Sequence, residues 1–134
     1  MNKFFNIYYL IKNAVKEQLM TAVAGLSAKI YIAIILLLNI AMWLGARYIA
    51  RKVGADQMAL HYSVGFGIDY YGDTIKIYTI PLLGFLIAFL NFILYAVVSS
   101  YRDKNFIGHI LFSASLIANI ILLASLLSIY IINF

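Results

Sequence analysis

The stretch IYTIPLLGFLIAFLNFILYAVVSSY, residues 77–101, contains no Asp, Glu, Lys or Arg. A helix needs about 20 mostly apolar residues to cross a hydrocarbon core of ~30 Å, and this run has 25. Two more uncharged runs accompany it, Ile30–Ala46 with 17 residues and Asn105–Phe134 with 30. The first reaches spanning length by drawing in its basic flanks. Together the runs take up 72 of 134 residues, too many for a soluble domain of this size to hide. The fold class expected is an all-α membrane protein with three transmembrane helices, at about residues 29–48, 77–100 and 106–132.

Composition agrees. Hydrophobic residues make up 65% of the chain and charged ones 11%, against roughly 45–50% and 25% in ordinary globular domains. A net charge of +5 would suggest nucleic acid in a soluble protein. Here most basic residues flank apolar segments, which assigns them to anchoring and orientation. The absence of cysteine excludes disulfides, thiolate metal sites and thiol chemistry. The Ile30 run begins too late for a secretory signal peptide, so the first span is expected to stay as an anchor.

Residues 1–29 differ in kind. Phe4, Ile7, Tyr8, Ile11, Val15, Leu19, Val23 and Leu26 recur at steps of three and four, while Lys12, Asn13, Lys16 and Glu17 fall off that stripe. The spacing predicts an amphipathic helix lying in the membrane interface, with packing against a partner or soluble face as the alternative. Trp43 and Tyr48 suit an interfacial belt at the end of the first span, with Arg47, Arg51 and Lys52 reaching for water. Pro81 sits in the first turns of the second span, where its missing N–H is tolerated. The short SSYRDKN connection makes the second and third spans an antiparallel hairpin. As one continuous helix the third run would be ~45 Å long, so it must tilt or end in the interfaces. With the N-terminus inside, Lys3, Lys12, Lys16, Lys29, Arg102 and Lys104 lie on the cytoplasmic side and Arg47, Arg51, Lys52 and Lys76 on the other. That six-to-four bias predicts N-in, C-out, with the loop at about 53–76 outside.

The loop is the most informative part of the chain. Four of the eight glycines fall in it. From Leu60 to Tyr70 the sequence alternates: Leu60, Tyr62, Val64, Phe66, Ile68 and Tyr70 on one side, His61, Ser63, Gly65, Gly67, Asp69 and Tyr71 on the other. Period two predicts an extended segment or irregular hairpin over the bundle mouth, and the glycines a bulge or bend. Tyr62, Phe66, Tyr70 and Tyr71 form an aromatic, largely uncharged candidate surface for a partner or ligand. His61 and Asp69 share the polar side and complete that candidate site. As a metal pair they supply two ligands where tetrahedral zinc needs three or four. As an acid–base pair they lack a nucleophile in a recognisable setting. The expected roles are a turn cap for Asp69 and a backbone or phosphate contact for His61; ligand contact and catalysis are the alternatives. No cofactor or metal is expected.

At these residues the chain resembles the module of SdpI-type immunity proteins, and small uncharacterised three-span bacterial membrane proteins. His61, Tyr62, Asp69, Gly72 and Pro81 stand at the offsets of that pattern. Ser63 replaces its usual Asn, and the glycine before Asp69 is shifted to Gly67. The resemblance covers roughly residues 30–98. It implies a sensor or protective protein facing agents outside the cytoplasmic membrane.

Asn39, Asn91 and Asn119 fall one to each span, near mid-depth. An unpaired amide in hydrocarbon is costly, so all three are expected to face inward as helix–helix polar contacts; a small polar cavity or ion path is the alternative. Ala41/Gly45, Gly84/Ala88, Ala114/Ala118 and Ala124/Ser128 place small residues four apart for close helix packing. His109 reads as interfacial. No Asp, Glu, Lys or Arg lies at mid-depth, which counts against a proton relay or a transporter of charged substrates. The functional expectation is a non-catalytic membrane interaction protein with a protein partner or a homo-oligomer, in contact with the lipid bilayer and not with nucleic acid. A membrane enzyme or oligomeric transporter with a site beneath the loop is the alternative.

Overall fold

The computed structural model describes residues 2–54, 56–99 and 101–134. Helix α1 runs Asn2–Ala24 and α2 Leu26–Val53, separated by an extended Gly25. Strands β1 (Gln57–Ser63) and β2 (Gly67–Asp73) form an antiparallel hairpin. A 3-10 turn, Thr74–Tyr78, leads into α3 (Thr79–Val98), and α4 is Lys104–Asn133. Three of these segments, Leu26–Val53, Thr74–Val98 and Lys104–Asn133, are helices long and apolar enough to cross a membrane. Their exposed Leu, Ile and Phe side chains have the outer surface expected of helices solvated by lipid.

The interior is built in layers along the helix axes. At the hairpin end, Met42, Ala46 and Ile49 of α2 meet Leu126 and Ile129 of α4, with Ile77 and the β1 residue Met58 closing the cluster. At the other end, Ala28 and Ile35 pack with Tyr95, Ala96 and Phe112. There Tyr31 stacks on Phe112 at 5.7 Å and meets His109 edge-on at 5.8 Å. Between the two apolar clusters lies a polar layer of Asn39, Ser115 and Asn119, all buried.

That layer uses two of the three asparagines as expected. Asn39 Nδ2 donates to Pro81 O at 2.9 Å, tying α2 to α3. Asn119 Nδ2 donates to Gly84 O at 3.3 Å and to Ser115 O at 2.9 Å, tying α4 to α3. Asn91 departs from the expectation: it donates at 3.1 Å to Ile87 O, one turn back on its own helix. That bond uses one of the amide's two N–H donors. Gly84 makes the layer possible, because a Cβ there would lie 2.7 Å from Asn119 Oδ1 and 2.8 Å from Met42 Cε.

The N-terminal helix is present, and the bend at Gly25 separates Leu26 from the rest of its stripe. Ile7, Tyr8 and Val23 are exposed. Phe4, Ile11, Val15 and Leu19 lie outside the described side chains.

Candidate functional site

Chain direction places the end of α2, the hairpin, the start of α3 and the end of α4 at one end of the bundle. The alternation from Leu60 to Tyr70 is folded back on itself there. Residues 64–66 form the turn, and Gly67, at φ 75°, supplies the left-handed conformation that begins the return strand. Register runs Gln57↔Asp73, Met58↔Gly72 and Ala59↔Tyr71, shifts twice around His61↔Tyr70, and resumes at Tyr62↔Ile68. The irregularity leaves Leu60 and Asp69 without a Cα partner, one on each strand.

The shift brings the two polar candidates together. His61 Nδ1 lies 2.6 Å from Asp69 Oδ1. With the carboxylate ionised, the imidazole is the donor. That hydrogen bond holds the Asp69 carboxyl below the usual carboxylate range, against the opposing pull of partial desolvation. The two side chains are each other's partner, a contact beside the turn-cap, backbone and phosphate roles expected for them. Both are solvent-accessible, and among the described residues no three His, Asp or Glu side chains gather. The dyad can carry or orient a proton, but among the described residues no hydroxyl is hydrogen-bonded to the opposite ring nitrogen as a triad requires.

The aromatic candidates stand in the open. Phe66 at the turn is 90% exposed and its neighbour Val64 96%, while Tyr62, Tyr70 and Tyr71 are each about half exposed. Tyr70 is steadied from the 3-10 turn: Lys76 Nζ donates to its hydroxyl at 3.2 Å and lies 5.8 Å from the ring centroid. The opposite part of the hairpin is sunk in the bundle, with Met58 and Ala59 each 2% exposed.

What fixes the hairpin is Asn133, which sequence reasoning did not single out. Its Nδ2 donates to Ala59 O at 2.8 Å and to Ile129 O at 2.8 Å, and its Oδ1 accepts from Ala59 N at 3.1 Å. One amide thus occupies both backbone groups of a single β1 residue. Beside it, Lys52 Nζ donates to the Tyr130 hydroxyl at 3.3 Å. The same ammonium lies 4.1 Å from the Phe134 ring centroid and 5.1 Å from that of Tyr130, joining the ends of α2 and α4. The bare pattern of a penultimate Asn and a Lys–aromatic set gave no sign of either contact, since both depend on how α2 and α4 are rotated.

Known protein families, curated proteins and solved structures contain no match to this chain.

Proposed function

We propose that the chain is a multi-pass protein of the cytoplasmic membrane, N-terminus inside and C-terminus outside, whose hairpin recognises a protein partner or membrane-active agent without chemistry. A subunit, immunity or sensor-like role fits this reading. The observation that carries it is an exposed aromatic surface on a clamped hairpin: Tyr62 and Phe66 project towards the turn end and Tyr71 opposite Ala59, while Asn133 holds Ala59. Rigid aromatic side chains give contact area at low entropic cost. The space beneath the hairpin is filled by Met42, Met58 and Ile77, each 2% exposed or less, which favours recognition over a site below. The His61, Asp69, Gly72 and Pro81 spacing adds the immunity-like colour, as a resemblance.

Co-purification from mild detergent tests the reading. Phe66→Ala with Tyr71→Ala should abolish a stoichiometric partner while leaving membrane insertion and yield unchanged. Asp69→Asn should reduce it only partly, through loss of hairpin order. The His61–Asp69 dyad favours the second reading, a membrane enzyme or oligomeric transporter. Complete loss from Asp69→Asn, with the aromatic changes tolerated at normal protein level, would establish that one.

A further inference from the structure

Trp43, Arg47 and Arg51 are spaced four apart on α2 and therefore share one face. Tyr78, from the 3-10 turn, stacks on Trp43 with ring centroids 5.9 Å apart and planes at 28°. With Leu44, these four residues line an open cleft near the hairpin end of the bundle. Both arginines are exposed, and neither has a hydrogen-bond or ion-pair partner among the described residues. The other cations at this end are engaged: Lys52 by Tyr130 and the rings around it, Lys76 by Tyr70. One carboxylate at this end, that of Asp69, is held by His61.

We propose that this cleft binds the phosphate of an anionic phospholipid headgroup. Residues four apart on a helix are separated by ~6 Å along its axis, so two long guanidinium side chains can converge on one phosphate. The guanidinium fork matches phosphate oxygens two at a time, which an ammonium does not. Trp43 and Tyr78 are the residue types that sit at headgroup level, with an apolar body toward the acyl chains and a polar edge toward water. Leu44 adds an aliphatic side chain to that wall. A soluble anion has no use for that wall; a diacyl lipid does. The cleft is independent of the hairpin's aromatic face and stands whether or not that face recognises a partner.

Native mass spectrometry of the full chain in neutral detergent tests the site. The protein is offered equal amounts of phosphatidylglycerol and phosphatidylcholine with matched acyl chains, and retained lipid is counted. Both lipids present a phosphodiester, but the choline ammonium cancels its charge and is repelled by two guanidiniums, so phosphatidylglycerol should be preferred by about tenfold. Arg47→Gln with Arg51→Gln should bring the two lipids to parity. Arg102→Gln with Lys104→Gln, which removes equal charge at the other end, should keep the preference. Arg47→Lys with Arg51→Lys preserves charge and removes the fork, so it should keep the preference while lowering the total lipid retained, and it reads the site even if the Gln pair folds poorly. Parity in the unaltered protein, equal loss from both charge-removing pairs, or release of phosphatidylglycerol by excess inorganic phosphate would each overturn the proposal.

Discussion

At Gly84 the missing side chain is what lets three helices share one polar layer. A methyl group there would meet Asn119 Oδ1, Met42 Cε and Asn39 Nδ2 at 2.7, 2.8 and 3.1 Å. Gly84→Ala should therefore destabilise the bundle by ~1–3 kcal/mol, as overpacking does. Asn119→Ser retracts the atom in closest conflict, so the double change should cost less than the sum of the singles. Unfolding in mixed micelles measures that cycle, and strict additivity would place the strain elsewhere. Asn119 is fully buried, and its Oδ1 has no hydrogen-bond partner among the described residues. Its contribution is therefore one-sided, through Nδ2 alone. At the surface, Asp69 gives a different test. Its pKa is lowered in the fold, so its contribution is complete above the unfolded value of about 3.9 and is lost as pH falls through the lower folded value. The protection of hairpin amides, relative to their intrinsic exchange rate at each pH, should show no loss from Asp69 down to roughly pH 5 and should fall below about pH 4. Asp69→Asn should remove that acid step.

The hairpin is the element whose reading from sequence was half complete. Period two was visible, and so was the shared side of His61 and Asp69. The turn was hidden, because Val64 and Phe66 continue the alternation through it, and only the left-handed Gly67 marks the reversal. The His61–Asp69 contact needed the double register shift, which spacing alone does not reveal. Asn91 and Asn133 carry the same lesson in opposite directions. Whether an amide reaches its own preceding carbonyl or a neighbour's backbone depends on helix rotation, and one apolar stripe does not fix that to a single side chain. Asn133→Ala should free the hairpin without dissolving the bundle. It strands the N–H and C=O of Ala59, a residue 2% exposed, at ~1–3 kcal/mol for each buried group left unsatisfied. Hydrogen exchange in β1 and β2 should speed up by at least tenfold while mid-helix amides of α2 and α4 stay protected. Uniform acceleration throughout would show that the clamp stabilises the bundle as a whole.

For the whole molecule, three uncharged runs were enough to predict three helices of spanning length, because lipid leaves the backbone few alternatives. Orientation rests on a basic bias of six to four, and cysteine labelling tests it without background in a chain that has none. Val64→Cys at the turn and Tyr101→Cys in the α3–α4 connection lie at opposite ends of the bundle, and both parent residues are exposed. An impermeant reagent on intact cells should modify the first and spare the second; the reverse pattern would invert the topology. The tie between Asn133 and Ala59 has a mechanical corollary. Helix α4 is a stiff rod of ~45 Å whose far end begins at Lys104 and whose near end grips β1. One residue of rotation, about 100°, or one residue of sliding, about 1.5 Å, carries the amide off Ala59. A push or twist at the α3–α4 connection that moved α4 as a rigid body would therefore be felt at the opposite end of the bundle, as loss of the Asn133–Ala59 hydrogen bonds.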